Sequence, residues 1–138
     1  MAKRTFYEHF EFSMNSVGLT APKSLFETQA TAIATVSTIV AVVDKFGKAV
    51  TVAELVGAGA LAEQLVVVGS CGAAFYAGAC IGALIYASSQ IASEHFWSKG
   101  ENVSIKSLQS KASRLGIKAS GKTMVAAKHH VSTMKHIA

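Results

Sequence analysis

Residues 64–93, QLVVVGSCGAAFYAGACIGALIYASSQIAS, form a stretch of thirty residues without a charged side chain or a proline. As one continuous α-helix this stretch would be roughly 45 Å long, whereas the hydrocarbon core of a bilayer is about 30 Å thick. A helix that is apolar on every side is buried either in a protein core or among lipid tails. The stretch therefore predicts an all-α fold built around a long apolar helix, which we expect to insert into a membrane.

A second uncharged segment precedes this stretch, at residues 28–43 (TQATAIATVSTIVAVV). Extended from Ser24 to Phe46, it becomes long enough for a membrane span. Ser24 and Glu27 have the spacing of a capping box, which predicts that a helix begins there. The small residues that we expect on its helix-packing face are Ala30, Ala34 and Ala41.

These two segments predict a helical hairpin of apolar, membrane-inserting helices, flanked by an N-terminal amphipathic helix and a basic helical tail. In the first part, Phe6, Phe10 and Met14 have the four-residue spacing of an amphipathic helix. The predicted parts are an N-terminal aromatic amphipathic segment at 1–23, an apolar helical hairpin at 24–98 and a basic amphipathic helical tail at 99–138.

The tail carries most of the net charge of +5, because residues 94–138 contain eight Lys or Arg and only two acids. Its apolar residues repeat at helical spacing and predict two amphipathic helices. The two stripes are Ile105, Leu108, Ala112 and Leu115, and then Met124, Ala127, Val131 and Met134. A basic segment beside an apolar one indicates the cytoplasmic side of a membrane, with binding to anionic lipid or to nucleic acid as the alternatives.

Small residues recur every fourth position in the long apolar stretch, at Ser70, Ala74, Gly78 and Gly82, and Ala73 and Ala77 widen the stripe. Such spacing lets two helix backbones approach closely in lipid, where apolar side chains give no drive for association. In a soluble core, the same stripe would mark the crossing of two helices. We expect self-association of the chain through this face.

This ladder resembles that of glycine-zipper pore-forming effectors, which bacteria deliver by contact-dependent secretion systems. The resemblance covers about residues 30–93 and is one of pattern. It implies depolarisation of a competitor's inner membrane, and a dedicated protein partner that neutralises the effector. The basic tail has no counterpart in that pattern.

Residues at the ends of the apolar segments have predicted roles at the membrane. Aromatic side chains concentrate at the boundary between lipid and water, and ionisable groups at membrane depth require water or partners. The predicted interfacial anchors are Tyr86, Phe96 and Trp97. The charges predicted to line a pore or a connecting loop are Glu54, Glu63, Lys45 and Lys48.

No motif in the chain supports catalysis, a cofactor or a metal ion. Residues 116–123 match the phosphate-loop pattern, but a polar helix pattern precedes them and no acid follows Glu101. His129, His130 and His136 are predicted to be solvated, because their spacing does not suit a metal and no Cys or acid lies near. Their protonation would raise the charge of the tail. We therefore predict a protein that is not an enzyme.

Composition agrees with membrane contact, since 51% of residues are apolar and only 15% are charged. The leading hypothesis is a pore- or channel-forming protein of the inner membrane, with the lipid bilayer and further copies of itself as partners. No specific nucleic acid is expected. The alternative is a non-enzymatic structural or adaptor subunit of a larger helical assembly. A third interpretation is a soluble helical domain with a central hairpin buried around residues 30–92, as in toxins that are soluble before insertion.

Overall fold

A computed structural model describes residues 4–19, 21, 23–46, 73–93, 96, 103–119 and 121–137. The helices in these ranges are α1 (Phe6–Asn15), α2 (Lys23–Phe26), α3 (Gln29–Phe46), α4 (Ala73–Ile91), α5 (Ile105–Arg114) and α6 (Gly121–Ile137). The same ranges contain no strand, which confirms the predicted all-α class. Among these helices, none combines the length and the apolar character that crossing a membrane requires.

Helix α4 lies at the centre of the described helices. Every residue at positions 76–87 is buried, and none of them is charged. Helices α1, α3, α5 and α6 all contact α4, and the most extensive contact is with α6. A helix that is apolar on all sides must be covered on all sides. Residues 76–87 of the long apolar stretch are thus covered by other helices of the same chain.

Helix α1 begins with a capping box formed by Thr5 and Glu8. The backbone N–H of Glu8 donates to Thr5 Oγ1 at 3.2 Å, and the N–H of Thr5 donates to Glu8 Oε1 at 2.9 Å. These two bonds satisfy N–H groups that the first turn of a helix leaves unpaired. Phe6, Phe10 and Met14 form one apolar face of α1, as their spacing predicts for an amphipathic helix, and this face is buried in the bundle.

Replacing Thr5 with alanine removes the capping oxygen, and we expect a loss of about 1 kcal/mol in the free energy of unfolding. Urea denaturation followed by circular dichroism measures this loss. Thr38→Ala is the matched control, because Thr38 is exposed within α3 and bonds only to the Ala34 carbonyl oxygen. Equal destabilisation by the two substitutions would contradict the capping role.

The beginning of the second helix differs from the prediction of a capping box at Ser24. The chain forms the single turn α2 and then bends at residues 27–28, so that Thr28 caps α3. The N–H of Thr31 donates to Thr28 Oγ1 at 3.2 Å. The bend allows the Phe26 ring to stack on the Phe10 ring of α1, with 4.5 Å between centroids. Packing of this aromatic pair accounts for the break.

The packed face of α3 also corrects the sequence prediction. Ala30, Ala34 and Ala41 are exposed, so this small-residue seam does not pack within the bundle. The opposite face buries larger aliphatic side chains, and this removes more apolar surface from water than an alanine seam would. The buried residues of α3 include Ala32, Val36, Ile39 and Val40.

The two tail helices have the predicted apolar stripes. Leu108 and Ala112 of α5 are buried, and so are the four predicted residues of α6, which are Met124, Ala127, Val131 and Met134. Helix α5 ends where Gly116 adopts a φ of 90°, and the N–H of Ile117 donates to the Ala112 carbonyl oxygen at 2.9 Å. The string that resembles a phosphate loop therefore begins at the end of a helix and does not follow a strand.

Candidate functional site: the glycine face of helix α4

Gly78 lies directly against the backbone of α6. A Cβ atom added at Gly78 would be 2.6 Å from the backbone nitrogen of Ala127 and would also overlap the Ala126 side chain. Real Cβ atoms essentially never come so close to a backbone atom. The absence of a side chain at this position is therefore what permits the distance between α4 and α6.

Gly82 lies one turn further along α4, beneath the ring of His130. A Cβ atom added at Gly82 would be 2.5 Å from His130 Cδ2. The two described glycines of the predicted ladder therefore form one contact surface with α6. We call this surface, consisting of Gly78 and Gly82, the glycine face. Within this structure the glycine face is occupied by the tail of the same chain.

The His130 ring is held between the glycine face and α1. Its Nε2 atom lies 2.7 Å from Ser13 Oγ in a hydrogen bond, and both residues are almost fully buried. Its Nδ1 atom is buried without a hydrogen-bond partner in the structure. Since only 0% of Ser13 and 1% of His130 are exposed, a substrate has no access to this pair. The pair joins helices and does not form an open nucleophilic site.

Burial, and to a lesser extent the neighbouring His129, lowers the pKa of His130 to about 4. An imidazolium at this position would have lost its water, and its second N–H would have no acceptor. The ring is therefore neutral at pH 7. The contact between α1, α4 and α6 depends on that neutral state.

Two further polar contacts hold α6 in place. The Ser16 hydroxyl at the end of α1 donates to the Ser13 carbonyl oxygen at 2.6 Å and lies 3.0 Å from Met134 Sδ, and the Thr123 hydroxyl donates to Asp44 Oδ1 of α3 at 3.0 Å. Helix α6 is thus attached to α1 near its middle and C-terminal end and to α3 near its start. We call α1, α3 and α6 together the sheath of α4.

An aromatic cluster covers the other end of α4. Tyr86 makes edge contacts with the rings of His9 and Phe96, whose centroids are 6.0 Å and 5.3 Å away. Tyr86 and Phe96 are each only 7% exposed, which corrects their predicted interfacial position for the folded chain. The rings find protein partners here, and such pairing stabilises them beyond the burial of their surface.

His9 is a second histidine between the sheath and α4. Its Nδ1 atom is also buried without a hydrogen-bond partner in the structure. Burial and then the charge of Arg4 lower the pKa of His9, while Glu8 acts in the opposite direction. Two histidines of the sheath, one on α1 and one on α6, therefore favour the neutral form where they contact α4.

Several predicted site residues lie outside the described residues. They are Ser70, Glu54, Glu63, Lys48 and Trp97. For Ala73, Ala74 and Lys45 the structure describes the helical backbone alone, whereas Ala77 is described in full and is buried. The predicted roles of the four charges in a pore or loop stay predictions.

His130 is the residue that sequence reasoning misplaced, because all three tail histidines were predicted to be solvated. His129 is indeed exposed, whereas His130 is buried. The available signal was periodicity: His130 stands three residues after Ala127 and four before Met134, on the apolar stripe of α6. A polar residue at a core position of such a stripe indicates a specific buried partner.

Among the residues that the structure describes, no group of three His, Cys, Asp or Glu side chains is arranged to hold a metal ion. Comparison with known proteins found no matching family model, curated protein or solved structure. Functional inference for this chain therefore rests on its own geometry.

Proposed function

We propose that this chain is a pore-forming helical protein that stores its apolar helix α4 inside a sheath and inserts it into a lipid bilayer. In the membrane, the glycine face exchanges its contact with α6 for contact with further copies of the chain. The family resemblance adds the proposal of an antibacterial effector that depolarises the inner membrane and has a neutralising protein partner.

One observation carries this proposal: α4 is uncharged and largely buried, and its glycine face is covered by α6, whose own apolar stripe faces the bundle. Every residue of α4 from 76 to 87 is buried and uncharged, and in the proposal this is the element that the sheath releases to lipid. The same spacing of glycines that admits the α6 backbone would admit the backbone of a second α4. Self-association then requires that α6 leave first.

The outer surface of the tail supports its transfer to a membrane surface. Lys128 and His129 are exposed on α6, and Lys106 and Arg114 are exposed on α5. Once released, α6 would present its apolar stripe to the acyl chains and its basic residues to anionic headgroups. Placement of the basic tail on the cytoplasmic side follows the charge rule for membrane proteins and stays part of the proposal.

Conductance across a planar bilayer that contains anionic lipid tests the proposal. The purified full chain is added at pH 7 and at pH 4, because acid is expected to loosen the sheath. We expect discrete current steps that are much more frequent at pH 4. Binding to lipid without current at either pH would contradict pore formation.

Replacing Gly78 with isoleucine tests both contacts of the glycine face, the one with α6 in the folded chain and the one proposed with further copies of α4 in the membrane. The larger side chain should displace α6, so that α4 is exposed and binding to vesicles at pH 7 increases. It should also prevent close approach between copies of α4, so that current is lost. Gly121→Ile is the matched control, since an added Cβ at Gly121 meets no atom within 4 Å. A Gly78→Ile protein that conducts like the wild type would exclude assembly through this face.

The alternative function is a non-enzymatic structural or adaptor subunit. It is favoured by the burial of residues 76–87 of α4 and by the glycine face, which is already filled within one chain. It predicts a protein that keeps this bundle when bound to other proteins and that conducts nothing at any pH. The same conductance experiment therefore distinguishes the two functions.

A further inference from the structure

A cavity of about 290 Å³ lies at the turn between α5 and α6 and is open to solvent on one side. Its inner wall consists of buried apolar side chains, namely Ala112 of α5, Ile117 of the turn and Met124 of α6. The hydrogen bond from the Ile117 N–H to the Ala112 carbonyl oxygen fixes the turn against α5. The wall is therefore formed before any ligand arrives, and its volume is close to the lower limit of about 300 Å³ for small-molecule pockets.

Three polar side chains stand at the rim of this cavity, those of Gln109, Ser113 and Lys118. All three are exposed. Within the described part of the chain, none of these three side chains takes part in a hydrogen bond or an ion pair. An amide, a hydroxyl and an ammonium group are thus available to a ligand above the apolar wall.

Lys118 decides the sign of the charge that the cavity presents. The C-terminal end of α5 and the N-terminal end of α6 meet at this turn, and their partial charges, roughly half a unit each and opposite in sign, offset each other. The described residues that line the cavity include no acid, and the sequence contains none after Glu101. One ammonium group favours a ligand with a single negative charge.

The wall indicates the rest of the ligand. It is aliphatic, and the lining contains no aromatic ring on which a nucleobase could stack. A carboxylate suits the rim, because its two oxygens can accept hydrogen bonds from an ammonium group, a hydroxyl and an amide. We propose that this cavity binds a small aliphatic carboxylate, with its charged group on Lys118 and Ser113 and its alkyl chain against Met124.

Binding at this cavity is coupled to the position of α6, because Met124 forms part of the wall. Met124 belongs to the apolar stripe by which α6 is buried in the bundle, so the cavity is lost when α6 leaves. A ligand that binds only the closed bundle stabilises it, and at ten times its Kd it shifts the equilibrium about elevenfold. This regulatory part rests on the proposed function: the carboxylate holds α6 over the glycine face and opposes insertion of α4.

The experiment titrates the full chain at pH 7 with hexanoate and, separately, with hexylammonium, which has the same alkyl chain and the opposite charge. We expect saturable binding of hexanoate with a Kd on the order of a millimolar, and at least roughly tenfold weaker binding of hexylammonium. Lys118→Gln should weaken hexanoate binding about fivefold, the upper range for an exposed ion pair. Lys106→Gln is the matched control and should change binding by less than about twofold, since it removes the same charge from an exposed position of α5 outside the cavity.

Two results of this titration would overturn the site: equal affinity for the two probes, or hexanoate binding that Lys118→Gln leaves unchanged. Ala119→Leu provides a second variant, because Ala119 also lines the cavity and the larger side chain adds volume there without changing charge. It should weaken the binding of both probes. Unchanged binding in this variant would place the ligand elsewhere and overturn the site as well.

The coupling to α6 is measured with hexanoate at ten times its Kd. It should raise the urea midpoint of the wild type, and it should lower binding to phosphatidylglycerol vesicles at pH 6, with smaller effects in Lys118→Gln. An unchanged midpoint would overturn the coupling, and unchanged vesicle binding despite a raised midpoint would overturn the regulatory part. A bilayer without current leaves the titration and the urea result intact, so failure of this inference is distinguishable from failure of the proposed function.

Discussion

Replacing Gly78 with alanine is expected to reduce the free energy of unfolding by about 3 kcal/mol, the upper end of the usual cost of overpacking. The added methyl group meets the backbone of α6, at 2.6 Å from the Ala127 nitrogen and 2.7 Å from the Ala126 carbonyl carbon. Backbone atoms within a helix cannot move aside as a flexible side chain can. The better helix propensity of alanine recovers only about 1 kcal/mol. Helix α6 must therefore shift or detach.

Urea denaturation followed by far-ultraviolet circular dichroism measures this loss. Gly121→Ala makes the same chemical change in a helix where an added Cβ meets no atom within 4 Å, and it should leave stability unchanged or slightly raised. The loss of stability caused by Gly82→Ala should lie between those of the other two variants. Its added methyl group meets the side chain of His130, whereas at Gly78 the methyl group meets backbone atoms. A Gly78→Ala protein as stable as the Gly121→Ala protein would show that α6 does not lie on the glycine face.

Lowering the pH from 7 to 4 is expected to cost the bundle about 3 kcal/mol through His130 alone. The pKa of this residue falls from 6.5 to about 4 on folding, and each unit corresponds to about 1.4 kcal/mol. Between these two values the unfolded chain binds a proton that the folded chain does not. Stability is therefore fully present above pH 6.5, falls as the pH drops, and reaches its full loss below about pH 4.

The groups around the two sheath histidines do not favour their protonated forms, so they support a loss of stability at low pH. His130 faces the Ser13 hydroxyl of α1, uncharged residues of α4 and the neighbouring His129, whose charge would oppose its protonation. His9 contributes in the same direction, because burial and Arg4 outweigh the attraction of Glu8. Acid should thus loosen both ends of the sheath and expose α4.

Unfolding free energies of the wild type and two variants between pH 7 and pH 4 provide the measurement. His130→Gln keeps a neutral group that can bond to Ser13, so its stability should vary much less with pH. His129→Gln is the control, because His129 is exposed and should keep the wild-type dependence. A wild-type protein equally stable at both pH values would contradict the neutral, buried state of His130.

Periodicity was sufficient to predict most helices and their inner faces. The spacing of Phe6, Phe10 and Met14 identified the buried side of α1, and the stripe from Met124 to Met134 identified that of α6. Periodicity failed at α3, where the alanine seam faces outward. Periodicity does not show whether this seam or the opposite face, with its larger aliphatic side chains, is buried. Which face is buried depends on the total apolar surface that the neighbouring helices cover.

The candidate site could be predicted only in part. Gly78 and Gly82 were identified as helix-packing positions from their spacing, and both do allow a close helix approach. Their contacts on α6, Ala126 for Gly78 and His130 for Gly82, each lie 48 residues further along the chain, and no local pattern connects the two helices. Ser13 and His130 were missed for the same reason, since a hydrogen bond between residues 117 positions apart has no local signature.

By itself, then, the amino-acid sequence determined that the chain is helical and that residues 76–87 avoid water. Only the tertiary structure decided what covers them, namely the helices of the same chain, with α6 on the glycine face. The physical reason is that the hydrophobic effect is not directional: it requires that apolar surface leave water and does not specify the surface that replaces water. The surface that replaces water is decided by the shapes of the packed helices, by the space that the absence of side chains at Gly78 and Gly82 leaves for α6, and by His130, which stays neutral.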